Sequence, residues 1–396
     1  MDGSATNRLS GYLPLFAFLS AWTMQLVYFL AYDSRVFYTF QFGILFLIFL
    51  TVASYTAGFF GPRLVMNLRP ALFQPRRKEP LDARAVTLLM RLSIFLAAGI
   101  IVMNILLPLA QGLSLGDARQ IALDKWEEGD ILARFLAALV NITISFCLVS
   151  VIDRIDVKGK FPLFMVLLFV TLSIAAYSRA HLLFGLCVIS VKWISQSKYK
   201  FSFIFLMFAA FALLFSILSV VASISANAYE SRLEDVLRNL EVYAFGGVAG
   251  FEYYYTAGYP QFNSLLTVPR FIYYILPGLG IPPPSYFPFI DTSPPINVFS
   301  AMYPPFHDYG VYGLAVFFFG YGLISSVAIA AFNILRNRLL GVLSGFLLYA
   351  GLMSPFDDQF IRGLTVLILM LSGVLLYSLL YRVLRATREQ RVVARV

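Results

Sequence analysis

The sequence predicts an all-α, polytopic membrane protein of about ten transmembrane helices. Of its 396 residues, 60% are hydrophobic and only 13% charged, roughly half the charged share of a soluble domain. The hydrophobic residues fall in blocks close to the roughly 20 residues that cross the hydrocarbon of a bilayer. The connections between blocks alternate between basic and non-basic, as the positive-inside rule requires.

The apolar blocks run over residues 11–31, 36–60, 86–110, 131–152, 161–177, 180–195, 201–222, 307–331, 339–355 and 362–384. The first is too long for the apolar core of a cleavable signal, so it is expected to remain as the first helix. Arg63, Arg69, Arg76, Arg77, Lys78 and Arg84 follow the second block and place that connection in the cytoplasm. The next connection carries Asp117, Asp124, Glu127, Glu128 and Asp130 and faces outward. Arg154, Lys158 and Lys160, then Lys198 and Lys200, then Arg336 and Arg338 mark the later inner connections. The tail, with Arg382, Arg385, Arg388, Arg391 and Arg395, is also inside. Ten spans with both termini cytoplasmic satisfy every connection.

This placement also interprets the net charge of +9. The basic residues sit in short connections between spans, so the charge sets orientation and implies no nucleic-acid partner. Cys147 and Cys187 lie inside apolar blocks and read as small hydrophobes, not as a disulfide, metal or redox pair.

Residues 223–306 form one large extracytoplasmic loop between residues 1–222, with helices one to seven, and residues 307–396, with helices eight to ten and the basic tail. Leu233, Val236, Leu237 and Leu240 recur at helical spacing between Glu234, Asp235 and Arg238, the pattern of a helix lying on the membrane surface. Residues 264–276 are apolar but too short to cross, which suits a re-entrant or interfacial piece. Paired with residues 242–259 as two further spans, they would raise the count to twelve without altering any other orientation. Nine prolines between Pro277 and Pro305 make the rest of the loop a stiff, non-helical connection.

Candidate chemistry collects at one level. Arg179 and His181 sit at a very short turn between two spans, where an arginine must reach water, a carboxylate or a phosphate. Arg270 lies within the apolar piece of the large loop and Arg232 on its surface helix; a guanidinium is the natural fork for phosphate oxygens. Glu252, Asp291, His307 and Asp308 are the acid–base candidates. Tyrosines are dense here, among them Tyr254, Tyr274 and Tyr303, and a sugar face packs on such rings; an interfacial aromatic belt is the ordinary alternative. Within the spans, Asn104 and Asn141 are suited to hydrogen bonds between helices. The midplane lacks the chain of ionisable residues that ion-coupled pumps use. No internal repeat appears, and no nucleotide-binding or zinc-hydrolase motif.

Three stretches carry a family resemblance. They are the turn Tyr177-Ser178-Arg179-Ala180, the large loop containing Val268-Pro269-Arg270, and the run from Asn297-Val298-Phe299-Ser300 to Phe306-His307-Asp308-Tyr309-Gly310-Val311-Tyr312-Gly313. Together they resemble the Wzy-type oligosaccharide repeat-unit polymerases of bacterial O-antigen and related polysaccharides. Ala180 stands where the family has glycine after the arginine. The resemblance implies a GT-C-like helical fold in the bacterial inner membrane and a metal-independent, inverting glycosyl transfer with no cofactor. The growing glycan would pass from undecaprenyl pyrophosphate to a repeat unit on the same carrier, with a chain-length regulator as a partner. It also implies a pyrophosphate set of Arg179, Arg270, Arg232 and His181, catalytic roles for Glu252, His307 and Asp308, and sugar contacts from Tyr254, Tyr274 and Tyr303. An O-antigen ligase, or a transporter of lipid-linked oligosaccharide, are the alternative readings.

Overall fold

The computed structural model describes residues 11–31, 42–68, 81–127, 130–158, 162–176, 178–196, 233–258, 261–284, 287–290 and 296–393. In chain order the helices are α1 Leu13–Ala31, α2 Phe42–Leu68, α3 Ala83–Ala110, α4 Leu115–Glu127, α5 Ile131–Lys158, α6 Leu163–Ala175, α7 Arg179–Gln196, α8 Leu233–Ala257, α9 Arg270–Ile275, α10 Tyr303–Leu335, α11 Arg338–Met353 and α12 Leu364–Val393. Among the described residues there is no sheet, only an isolated bridge between Ile290 and Ile296. Among the described residues, six helices are long and apolar enough to cross a membrane: α1, α2, α3, α5, α10 and α12. Three more, α6, α7 and α11, are apolar but shorter. The chain is therefore a multi-pass α-helical membrane protein that meets lipid along these helices. The expected span at 201–222 lies outside the described residues.

The chain divides into two compact units. The first comprises Met1–Arg76, Arg232–Leu335 and Phe346–Thr365; the second comprises Arg77–Ser231, Arg336–Gly345 and Val366–Val396. The boundary thus falls inside α11, after Gly345.

In the first unit, α2 and α10 pack along their length. A Cβ on Gly58 would collide with the Phe319 carbonyl, and one on Gly322 with the Tyr55 carbonyl. Small residues at these points let two backbones approach where lipid supplies no hydrophobic drive. The rings of Phe18 on α1 and Tyr55 on α2 stack at 3.8 Å, and Trp22 Nε1 donates to Ser354 Oγ at 2.9 Å. Gln25 Nε2 donates to the Ala244 carbonyl at 2.8 Å, joining α1 to α8. Residues 233–257 form one 25-residue helix, not a surface helix followed by a separate segment. Of residues 264–276 only Arg270–Ile275 is helical, which is far too short to span.

Helix α10 starts on Pro304 and Pro305, which the first turn tolerates because its N–H groups have no helical acceptor. It breaks at Gly310, whose φ is 62° and ψ −147°. This backbone region belongs to glycine, and a side chain there costs about 1–3 kcal/mol. A Cβ at Gly310 meets nothing within 4 Å, so Gly310→Ala isolates the backbone term. It is expected to lower the melting temperature in detergent by that amount of stability. An unchanged melting temperature would mean that the break relaxes freely.

In the second unit, α3 continues through a π-helical turn, Val102–Leu106. Pro108 has no N–H to donate to the fourth carbonyl before it, and the wider turn absorbs the break. Asn104 on this turn donates Nδ2 to the Ala175 carbonyl at the end of α6 (3.0 Å). Sequence reading left Arg338 in a basic connection and the spans poor in charge. Among the described residues, this unit instead holds two buried ion pairs. Arg338 grips Asp153 with Nε at 2.9 Å and Nη2 at 2.7 Å, and Lys192 Nζ meets Asp156 at 2.8 Å. Asp153 and Asp156 lie one turn apart on α5, which is why one helix face serves both cations.

Candidate functional site

The polar cluster in the first unit is built on the short turn of α10 that precedes Gly310. Asp308 there reaches back across about forty residues of chain to the irregular segment before α9. Its Oδ1 accepts from Leu266 N–H (3.0 Å), and its Oδ2 accepts from Thr267 N–H (2.7 Å) and Thr267 Oγ1 (2.6 Å). His307 Nδ1 lies 2.7 Å from Asp308 Oδ1. Its Nε2 lies 3.2 Å from the Phe262 amide nitrogen. An amide only donates, so Nε2 must be the bare nitrogen, and Nδ1 carries the proton that Asp308 accepts. Both ring nitrogens and both carboxylate oxygens are therefore occupied, and both side chains are buried. The geometry makes His307–Asp308 a clamp on residues 262–267, not an exposed acid–base pair.

Three residues beyond the clamped Thr267, Arg270 opens α9. It is half-buried. Its Nε is enclosed without a hydrogen-bond partner, and among the described residues no carboxylate pairs with it. Tyr273, one turn on, is buried and donates its hydroxyl to the Leu265 carbonyl at 2.9 Å, fixing α9 to the clamped segment. Burial, reinforced by the nearby Asp308 carboxylate, raises the Tyr273 phenol above its ordinary pKa, so it stays a neutral donor.

The expected sugar platform does not form as a set. Tyr303 and Tyr254 are buried in an aromatic core whose rings meet edge to face at 4.7 Å, with Phe299 and Phe287 packed on Tyr303. Those faces are closed to a sugar ring. Tyr274 alone of the three is exposed. Glu252 is buried on α8. Arg232 and Asp291 lie outside the described residues.

Arg179 and His181 belong to the second unit and are described with it. Arg179 is the first residue of α7; its side chain lies outside the described residues. His181 Nε2 is 2.8 Å from Asn141 Oδ1. Asn141 Nδ2 donates to the Ala137 carbonyl, so its Oδ1 faces the ring and His181 Nε2 is the donor. Its Nδ1 is enclosed without a partner. A histidine already donating to Asn141 has no second N–H in its neutral form for a phosphate.

Sequence reasoning passed over the turn between α11 and α12. Asp357 accepts from Arg362 Nη1 (2.8 Å), Gln359 Nε2 (2.6 Å) and Asp358 N–H (2.9 Å). The Arg362 guanidinium stands 4.9 Å from the centroid of the Phe287 ring, which joins this turn to the aromatic core behind His307. Asp358 Oδ1 accepts from Phe360 and Ile361 N–H, while Oδ2 is buried without a partner. Tyr321, stacked on Phe360 at 4.1 Å, brings a hydroxyl that also lacks one. The signal was present in sequence: two adjacent carboxylates in a connection otherwise poor in charge.

Burial, reinforced by the Asp357 carboxylate, pushes Asp358 up to about 7. An unfolded aspartate titrates near 3.9. Folding therefore takes up a proton between these values, and stability falls as pH rises from about 4 to about 7. Asp358→Asn keeps the acceptor oxygen and removes the titration. It is expected to melt several degrees above the parent at pH 8 and close to it at pH 4.5. Equal shifts at both pH values would refute the assignment.

Fold and cluster define a class: a multi-pass helical membrane protein with a clamped, arginine-bearing loop at one end of its spans. No protein family, curated protein or solved structure matches the chain closely enough to name a relative.

Proposed function

We propose that the protein polymerises lipid-linked oligosaccharide repeat units on the non-cytoplasmic face of the bacterial inner membrane. In this reading it has ten spans, both termini cytoplasmic, and a GT-C-like arrangement of helices. The observation that carries the proposal is Arg270. It is a half-buried cation with no carboxylate partner among the described residues, in a loop fastened to the start of a membrane span. A half-buried guanidinium whose Nε is enclosed without a partner favours an anionic ligand. A ligand at that level brings its phosphates to the end of the spans and keeps its tail in lipid, as a polyprenyl pyrophosphate does.

The reaction needs little more from the protein than position and charge. A hydroxyl of the acceptor repeat unit attacks the anomeric carbon of the donor glycan. The bond from that carbon to the pyrophosphate oxygen breaks, and undecaprenyl pyrophosphate leaves with the electron pair. The hydroxyl proton passes to the leaving pyrophosphate. Arg270 stabilises the charge that develops on it. His307 and Asp308 act as positioning residues, since they hold the segment that carries Arg270.

The test is deletion of the gene in its native host, with surface lipopolysaccharide resolved on a gel. Core bearing a single repeat unit, with the ladder lost, is the expected result. Bare core would point to a ligase or a flippase, and an unchanged ladder would remove the protein from this pathway.

A further inference from the structure

Beyond the clamp, the loop carries a series of exposed apolar side chains. Tyr274 is 67% exposed, Ile281 84% and Phe289 67%, with Ile275, Leu276 and Leu279 exposed between them. Residues 274–281 contain no charged residue at all. An exposed apolar patch of this extent, rimmed by a cation at Arg270, marks an interaction surface. Each large apolar side chain is stabilised on leaving water, so this rim favours an apolar occupant.

Its place in the fold identifies that occupant. Asp308 and His307 hold the base of the loop against the first turn of α10. Immediately after them on α10, Tyr309 and then Tyr312 (84%) and Val316 are exposed. These residues open the lipid-facing side of a membrane span, and tyrosines at such a boundary sit at headgroup level. The rim is thus attached at the height where the bilayer begins and continues its apolar surface. We propose that residues 274–281, with Phe289, are embedded in the bilayer leaflet that meets the start of α10. The insertion is shallow. Irregular backbone cannot sit exposed in hydrocarbon, so only side chains enter, about 5–10 Å into the headgroup–acyl boundary. Arg270, at the base of the rim, is thereby held at the level of the lipid phosphates. The inference is independent of which glycan, if any, the protein handles.

The test is a depth measurement on the full chain in vesicles of phosphatidylethanolamine and phosphatidylglycerol. Nitroxides are attached to Ile281→Cys and Phe289→Cys, with Val316→Cys as the lipid reference and the exposed Asn263→Cys as the water reference. Both native cysteines are buried and react poorly with the label. Relaxation by oxygen and by a water-soluble nickel chelate is then compared. Labels at 281 and 289 are expected to behave like the one at 316, with oxygen access retained and chelate access lost. Chelate access equal to that at 263 would place the rim in water and overturn the proposal. Shielding from both reagents would mean that protein, such as a second copy of the chain, covers it, and would overturn it equally.

Discussion

Arg270→Ala is expected to abolish polymer while leaving the protein in the membrane at normal abundance. Removing one fixed donor from a developing oxyanion costs on the order of 10²–10³ in rate. A stepwise polymerisation compounds that loss over every added unit, so the ladder should vanish, not merely shorten. Arg270→Lys keeps the charge but not the fork, and it should restore little. Asp308→Ala tests the clamp by a different route. It frees the amides of Leu266 and Thr267 from their shared acceptor and should reduce polymer with Arg270 still present. Lipopolysaccharide gels, with immunoblots for membrane-inserted protein, read all three. A wild-type length distribution in Arg270→Ala would remove this residue from the site.

Asp153→Ala should have the largest effect on folding. It strips a two-pronged partner from Arg338, whose guanidinium also lies over the Tyr377 and Tyr381 rings at 5.5 and 4.5 Å. Removing one member of a buried ion pair costs about 3–5 kcal/mol, because the other charge is left unpaired in a poor solvent for it. Replacing both members with apolar residues of similar size, Asp153→Leu with Arg338→Met, should recover most of the loss. Thermal stability by size-exclusion chromatography separates these cases. A single mutant as stable as the parent would show that water reaches the pair.

The six long apolar helices were legible because length and hydropathy act locally: twenty apolar residues in a row have few other fates. The π-turn is explicable from Pro108 once α3 is known to be a helix. The clamp was legible only in its members. Sequence places His307 and Asp308 side by side at a helix start, a pattern equally suited to catalysis. What decides their role is the set of backbone amides at 262, 266 and 267, and amides are present at every non-proline position. The same limit hid the pairing of Asp153 with Arg338, 185 residues apart. Tyr254 and Tyr303 were singled out for their chemistry, yet ring faces pack on one another as readily as on a sugar, and burial chose the former. Asp357 and Asp358 escaped because a short connection between two apolar blocks invites no search.

The two units interleave along the chain, each closing only with its last segment, and this has a consequence for biogenesis. Trp22 enters the membrane with the first helix, but the hydroxyl it donates to is on Ser354, 332 residues later. At about 5–20 residues per second, the indole waits roughly 15–65 s for its acceptor. Throughout that interval α1 relies on lipid, the insertion machinery and its contacts with the earlier-made α2 and α8. A nascent chain stalled before residue 346 would therefore present an unfinished helix surface to the cell's membrane proteases, however sound its individual spans.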